Sequence, residues 1–364
     1  MINVEIHLKR GTLTIKPSPD EQLHVESQPP LVAELIGGTA VIDGKSIPGQ
    51  VDATVLVPAT SGSLHASIGV GPCTISSVAV KDARLNLGLG PLIVEDSQGK
   101  WDANLGKGDA TFTRVDGPLN INMGMGRLRL RQIRGPADIN NGLGSIEIHE
   151  SDGDYKIKAG KGDVLWQSTQ GSGTIHAGMG TVEVVDSRGA RLEIKSGLGK
   201  TSVVNSNWEA VQVDTGVGDI RIEGSVASLF ASAKQRGHIH VSLADPLDTR
   251  IEASTERGRI ISSFNLMPVG HAGPQRGERV VGIVGDGQRE IRLYTRRGNI
   301  TLDAASDPKT SVPDETDERL AILRELKNGT ITVDEAEDLL SALETNFPGS
   351  TSHREEEPPT IVQG

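Results

Sequence analysis

A Gly-x-Gly signature returns through the chain at a nearly fixed interval. Its second glycine falls at Gly71, Gly90, Gly108, Gly126, Gly144, Gly162, Gly180, Gly199 and Gly218, steps of 18 or 19 residues by subtraction. A period that short and that strict belongs to a stacked repeat, in which each unit buries its apolar face only against its neighbours. Apolar residues flank each glycine pair with period two. Around Gly126 they are Leu119, Ile121 and Met123 at positions −7, −5 and −3, then Leu128 and Leu130 at +2 and +4. Around Gly218 the same positions hold Val211, Val213, Thr215, Ile220 and Ile222; around Gly298, Ile291, Leu293, Thr295, Ile300 and Leu302. Alternation of this kind reads as two short strands per coil with every second side chain inward. The glycines between them supply the bend.

Stacked in register, the +2 residues form a column of Cys73, Leu92, Ala110, Leu128, Ile146, Val164, Val182, Thr201, Ile220 and Ile239. The +4 column reads Ile75, Val94, Phe112, Leu130, Ile148, Trp166, Val184, Val203, Ile222 and Val241. Both are almost wholly apolar, as a dry interior requires. The expected fold is therefore an all-β parallel solenoid, a β-helix or β-roll of about a dozen coils and roughly 60 Å long at ~4.8 Å per coil. Composition agrees. Glycine is 44 of 364 residues and aromatics are 2%, too few rings for an ordinary core of this length.

Residues 1–304 form the solenoid domain in this reading. Residues 17–70, broken by Pro17, Pro19, Pro29 and Pro30, supply irregular coils that cap the first edge. Residues 267–288 are a loop or hairpin insertion near the second end. Residues 305–316 are polar, contain Pro308 and Pro313, and make a linker. The periodicity then changes to 3.6. Leu320, Leu323 and Leu326 mark one helix, closed at Asn328-Gly329. The capping box Thr332-Val-Asp-Glu335 opens a second, with Ala336, Leu339, Leu340 and Leu343 on one face. Residues 317–345 are thus a small helical hairpin whose leucine face is a docking surface, and residues 346–364 a disordered tail.

Several function classes lose support. The net charge is −11, against nucleic acid or an anionic membrane as the main partner. Cys73 is the single cysteine, which excludes a disulfide framework and a cysteine metal site. No window is long and apolar enough for a transmembrane segment, and the first residues lack a signal peptide's pattern. A cytoplasmic protein is expected, with peripheral membrane association open to it. The residue after the second glycine is Asp109, Asp163 or Asp219 in three coils but Arg127, Ser145, Thr181 or Lys200 in others. That column does not supply the converging oxygens of a calcium roll. The outward +3 column holds no ladder of acids for glycoside chemistry. His176, His238 and His240 form no metal-ligand constellation. No catalytic residue, cofactor or metal is expected.

One exposed feature repeats. At position −4, successive coils carry Asn86, Asn104, Asn122 and Asn140. In register their amides bond along the stack, either as reinforcement or as a polar strip that takes a protein or glycan.

Gly-Lys-Gly-Asp109, Gly-Lys-Gly-Asp163 and Gly-Val-Gly-Asp-Ile-Arg-Ile222 resemble the repeat of the bacterial adhesin-type β-strand-repeat family, a domain of unknown function related to toastrack domains. Ile251–Ile261 and Tyr294–Leu302 resemble that family's C-terminal end, so the likeness spans residues 1–304. The run Leu320–Leu340 resembles the short SHOCT-like helical module. The resemblance implies no catalytic residues and, through relatives that carry both parts, a link to bacterial cell-envelope stress systems of the phage-shock type. The leading expectation is a non-enzymatic scaffold, with a protein partner or self-association. A surface adhesin or polysaccharide binder is the second reading, and a carbohydrate-active β-helix enzyme the third.

Overall fold

The structure is a computed structural model that describes residues 2–58, 61–244, 248–269 and 277–304. The leucine face expected at Leu320–Leu343, with the linker and tail, lies outside the described residues. Those described form an all-β parallel solenoid. Its body is ten coils in sequence order, with corner glycines at Gly71, Gly90, Gly108, Gly126, Gly144, Gly162, Gly180, Gly199, Gly218 and Gly237.

One regular coil shows how the sequence builds it. Leu128–Arg131 is the first strand, with Leu128 and Leu130 buried and Arg129 and Arg131 outside. Gln132 then turns the chain with φ 56°. A short third side follows, in which Arg134 makes a single bridge to Asp116 below and Asp152 above. Gly135 turns again at φ 134°, and Ala137–Leu143 is the second strand. Two strands per coil stand as expected. The third side and its corners are additions: one carries Gly117, Gly135, Gly153 and Gly171, the other Ser77, Asp96, Arg114, Gln132, Glu150, Ser168, Asp186 and Asn205, all with positive φ.

Every residue of the +2 and +4 columns is at most 1% exposed. Cys73 lies among them, and burial pushes its thiol up to about 12. The third side buries hydroxyls instead of hydrocarbon in several coils. Ser97, Ser151, Thr169, Ser187 and Ser206 each donate to the carbonyl two residues back, at 2.7–3.0 Å. Four of these hydroxyls also accept a backbone N–H from the coil below. Some inward polar groups at −3 are matched likewise: Asn141 donates to the Gly126 and Gly144 carbonyls, and Thr295 to that of Gly237, whereas the Asn141 Oδ1 and Ser196 Oγ atoms are buried without a partner among the described residues. Three of the rings meet in the interior. Trp166 meets Tyr155 edge-on at 5.2 Å and Trp208 at 6.2 Å between centroids. Gly173 makes room for them, since a Cβ there would lie 2.2 Å from the Trp166 ring.

The two ends depart from sequence order in the same way. Asn3–Arg10 and Leu13–Pro17 do not begin the stack. They lie between Thr39–Gly44 and Asp52–Val57 on one side and Ser61–Val70 and Cys73–Ser76 on the other. The outermost coil is covered by antiparallel strands, His24–Gln28 on Asp52–Val57 and Ala33–Ile36 on Thr39–Gly44. At the far end Arg289–Arg297 slots between Ile220–Arg236 and Thr249–Arg257, and Ile300–Ala304 between Ile239–Leu243 and Ile260–Ser262. Glu278–Val284 closes that edge antiparallel to Thr249–Arg257, and Met267–Pro268 pairs with it. At each end an antiparallel strand thus covers the parallel edge, with only the three-residue parallel strand Ile260–Ser262 left paired on one side, so little template for further stacking remains.

Candidate functional site

The four expected asparagines stand one above another on the outer face of the second strand. Asn104 Nδ2 donates to Asn86 Oδ1 at 3.2 Å, Asn122 Nδ2 to Asn104 Oδ1 at 3.2 Å, and Asn140 Nδ2 to Asn122 Oδ1 at 3.0 Å. The second Asn104 donor goes to Asp102 at 3.2 Å. All the amides point the same way along the axis. The Asn86 NH2 group and the Asn140 carbonyl oxygen, at the two ends, have no partner among the described residues.

The asparagines form one wall of a groove of about 910 Å³ that runs from Ser67 to Lys158. Its floor is the first glycine of each pair: Gly69, Gly88, Gly106, Gly124, Gly142 and Gly160. These glycines keep the floor bare, and the packing requires them. A Cβ at Gly106 would lie 2.6 Å from the Gly88 carbonyl oxygen, and one at Gly124 the same distance from that of Gly106. The groove continues over the next coils past Lys158, His176, Lys195, Asp214 and Lys234, so its wall changes from neutral amides to mostly cationic side chains. Lys195 is paired with Glu193, and Lys234 with Asp214 at 3.4 Å.

The aspartates that follow the second glycine have a structural task. Asp109, Asp163 and Asp219 accept the backbone N–H of Arg127, Thr181 and His238 in the next coil, at 2.8, 2.7 and 2.8 Å. Asp52 and Asp154 do the same for Thr12 and Ser172. The histidines weighed as ligands stand apart: His238 Nδ1 accepts the Asn299 N–H at 3.1 Å, and His240 lies 3.9 Å from Glu223. Among the described residues, no group of three or more His, Cys, Asp or Glu is placed to hold a metal ion.

A second surface feature went unread in the sequence. The middle residue of each Gly-x-Gly, position −1, points outward at the corner. Backbone bonds from each corner N–H to the −1 carbonyl of the next coil fix the order of this edge. It runs Arg10, Val70, Leu89, Lys107, Met125, Leu143, Lys161, Met179, Leu198, Val217, Arg236, Arg297 and Arg257. Six of its seven apolar side chains are 36–48% exposed. The signal was present as a column of apolar and basic residues between glycines, but middle residues of a turn attract no attention as a surface.

With this geometry in place, the comparisons fall on the same elements. Residues 153–303 match the family model described as Toastrack DUF4097. This part of the chain is similar to a Toastrack domain. Residues 317–347 match the model of the SHOCT-like domain. No curated protein matches the chain. Among solved structures, a candidate cell adhesion protein from Clostridium sporogenes aligns over 83% of this chain and 93% of its own, at 7% identity and a TM-score of 0.13. The Toastrack match begins at Gly153 and ends at Asp303. It therefore takes in the cationic half of the groove and the whole second end, including the inserted last coil. The asparagine ladder lies on the coils before it.

Proposed function

We propose that this protein is a non-enzymatic interaction scaffold whose working surface is the groove along the asparagine ladder. The observation that carries the reading is the groove itself. Glycines whose Cβ atoms the packing forbids keep its floor open over six coils. Amides beside that floor offer a donor at Asn86 and an acceptor at Asn140 that no other described residue takes up. Residues 317–345 are read as the module for self-association or docking, and the cell-envelope stress response as the setting, on the strength of the paired Toastrack and SHOCT-like matches. A polysaccharide ligand is the second reading, favoured by the amide spacing: one polar group per coil, about 4.8 Å apart, is close to the advance of one ring in an extended pyranose chain.

Two variants test it. Asn86, Asn104, Asn122 and Asn140 all changed to Ser should lose ligand or partner capture while thermal stability falls only slightly. Loss of stability in step with capture would reduce the ladder to reinforcement. A chain lacking residues 317–345 should keep its β signal in circular dichroism and change its assembly mass or its recovered partners. If neither mass nor partners move, the docking role is wrong.

A further inference from the structure

We infer that the corner edge at position −1 is a contact for anionic phospholipid surfaces, along which the solenoid lies lengthwise. The inference is independent of what the groove holds. The edge is continuous, because each of its residues is joined through a backbone hydrogen bond to the next coil. Steps of ~4.8 Å make it about 58 Å from Arg10 to Arg257. It contains only apolar and basic side chains, in a molecule with 48 acidic residues and 37 basic ones.

The arrangement along the edge is specific. Leu89, Met125, Leu143, Met179 and Leu198 stand 42–48% exposed, with Lys107 and Lys161 interspersed. Neither lysine has an ion-pair partner among the described residues. At the second end Arg236, Arg297 and Arg257 occupy three consecutive levels. Their order is made by the inserted last coil, which brings Arg297 between the other two. Stacked guanidiniums about 5 Å apart repel one another, and no carboxylate among the described residues pairs with any of them. Their neighbours Arg296 and Lys234, by contrast, are paired with Glu256 and Asp214.

A line of leucines and methionines with cations between them matches a lipid interface. Apolar tips enter the acyl boundary, and long cationic side chains reach the phosphates. The net charge of −11 does not oppose this. At physiological salt, charges more than ~8–10 Å apart are largely screened, so the edge is felt through its own residues. Glu256, the residue before Arg257, is taken up by Arg296 and by the Tyr294 hydroxyl. The acids at position +1 are Asp52, Asp109, Asp163 and Asp219. Each spends an oxygen on a backbone N–H of the adjacent coil, and Arg127, Lys200 and Arg259 share their column. Nucleic acid fits less well, because the edge offers no aromatic ring for a base to stack on.

The test is sedimentation of the full chain with vesicles of phosphatidylcholine alone or with one third phosphatidylglycerol, at low and at high salt. The anionic vesicles should carry the protein down at low salt and the neutral ones should not. Arg236→Glu, Arg257→Glu and Arg297→Glu together should weaken binding about tenfold or more. Lys16→Glu, Lys45→Glu and Lys81→Glu together, an equal change in net charge away from the edge, should leave it within about twofold. Leu89→Gln, Met125→Gln, Leu143→Gln and Met179→Gln should also release the protein. All these side chains are exposed, so circular dichroism and thermal transitions should be unchanged. The inference fails if the wild-type chain ignores anionic vesicles at low salt, or if the two charge variants lose binding equally. It also fails if the edge variants only dissolve a dimer seen by light scattering while vesicles are left unbound; the edge would then be a contact between copies.

Discussion

Gly124 and Gly126 are two residues apart and are glycine for different reasons. Gly124 has an ordinary backbone conformation, but a Cβ there would lie 2.6 Å from the Gly106 carbonyl oxygen. Gly126 has φ 143°, and its Cβ would approach the Gly108 oxygen to 2.0 Å. Gly126→Ala therefore meets both backbone strain and a clash and should cost about 3 kcal/mol or more. Gly124→Ala meets only the clash and should cost about 1–3 kcal/mol. Urea denaturation of the two variants checks the order; a reversed ranking would refute it. Asp163 is a milder case. Asp163→Ala removes the acceptor for the Thr181 N–H and should cost about 1 kcal/mol, while Asp163→Asn keeps the acceptor and most of the stability.

The buried thiol and phenol add a pH prediction at the same scale. Burial raises Cys73 to about 12 and Tyr155 to about 12, so folding holds both neutral. That contribution is complete below the unfolded values, near 9 and 10, and drains away as pH rises from there toward 12. Base should unfold the protein in that window. At neutral pH Cys73 should react with a thiol reagent only through opening of the coil stack. Labelling of the native protein at the rate of a free thiol would contradict its place in the core.

At the scale of the element, the terminal coils make the sharper predictions. The first strand, Asn3–Arg10, is paired on both sides, whereas His24–Gln28 pairs on one side only. Amide hydrogen exchange should therefore be slower at residues 3–10 than at 24–28, against the usual fraying of chain ends. Likewise Arg289–Arg297, held between two parallel strands, should exchange more slowly than Glu278–Val284 at the cap. Equal rates would mean that the interleaving adds no local stability. This interleaving is also what the sequence could not show. Leu13 faces Cys73 on one side and Ala53 on the other, and long-range pairing of this kind leaves no local mark. The third side escaped for another reason: a single bridge at Arg134 is too short for a periodicity, and its αL corner takes Ser, Asp, Arg, Gln, Glu or Asn alike. The inward columns were legible because strict alternation around a fixed glycine leaves one register. The asparagine ladder followed from that register, and so could the −1 edge have done, had the middle residues been aligned as a column.

At the scale of the molecule, the stack behaves as a one-dimensional array closed at both ends. Excising residues 127–144 joins Gly126 to Ser145, which restores a Gly-x-Gly corner followed by a strand. The product should fold as a solenoid one coil shorter, with β content and a cooperative transition retained. Removing residues 1–17 deletes a similar number of residues but takes away an inner layer, leaving Thr39–Gly44 and Asp52–Val57 without their parallel neighbours. That variant should lose the cap as well as the coil. Circular dichroism and denaturation of the two deletions compare them directly, and equal stability would argue against the closed-end description.

The end coils also set an order of completion during synthesis. The first cap can close once residue 57 has left the ribosome, because every strand it needs precedes that point. The second cannot close until residue 304 is made, since its inner layer is the last strand of the domain. Until then Ile220–Arg236 and Thr249–Arg257 have emerged with a gap between them the width of one coil. A nascent chain stalled short of residue 304 presents that gap as an open slot, and a strand from another chain with the same alternation would fit it.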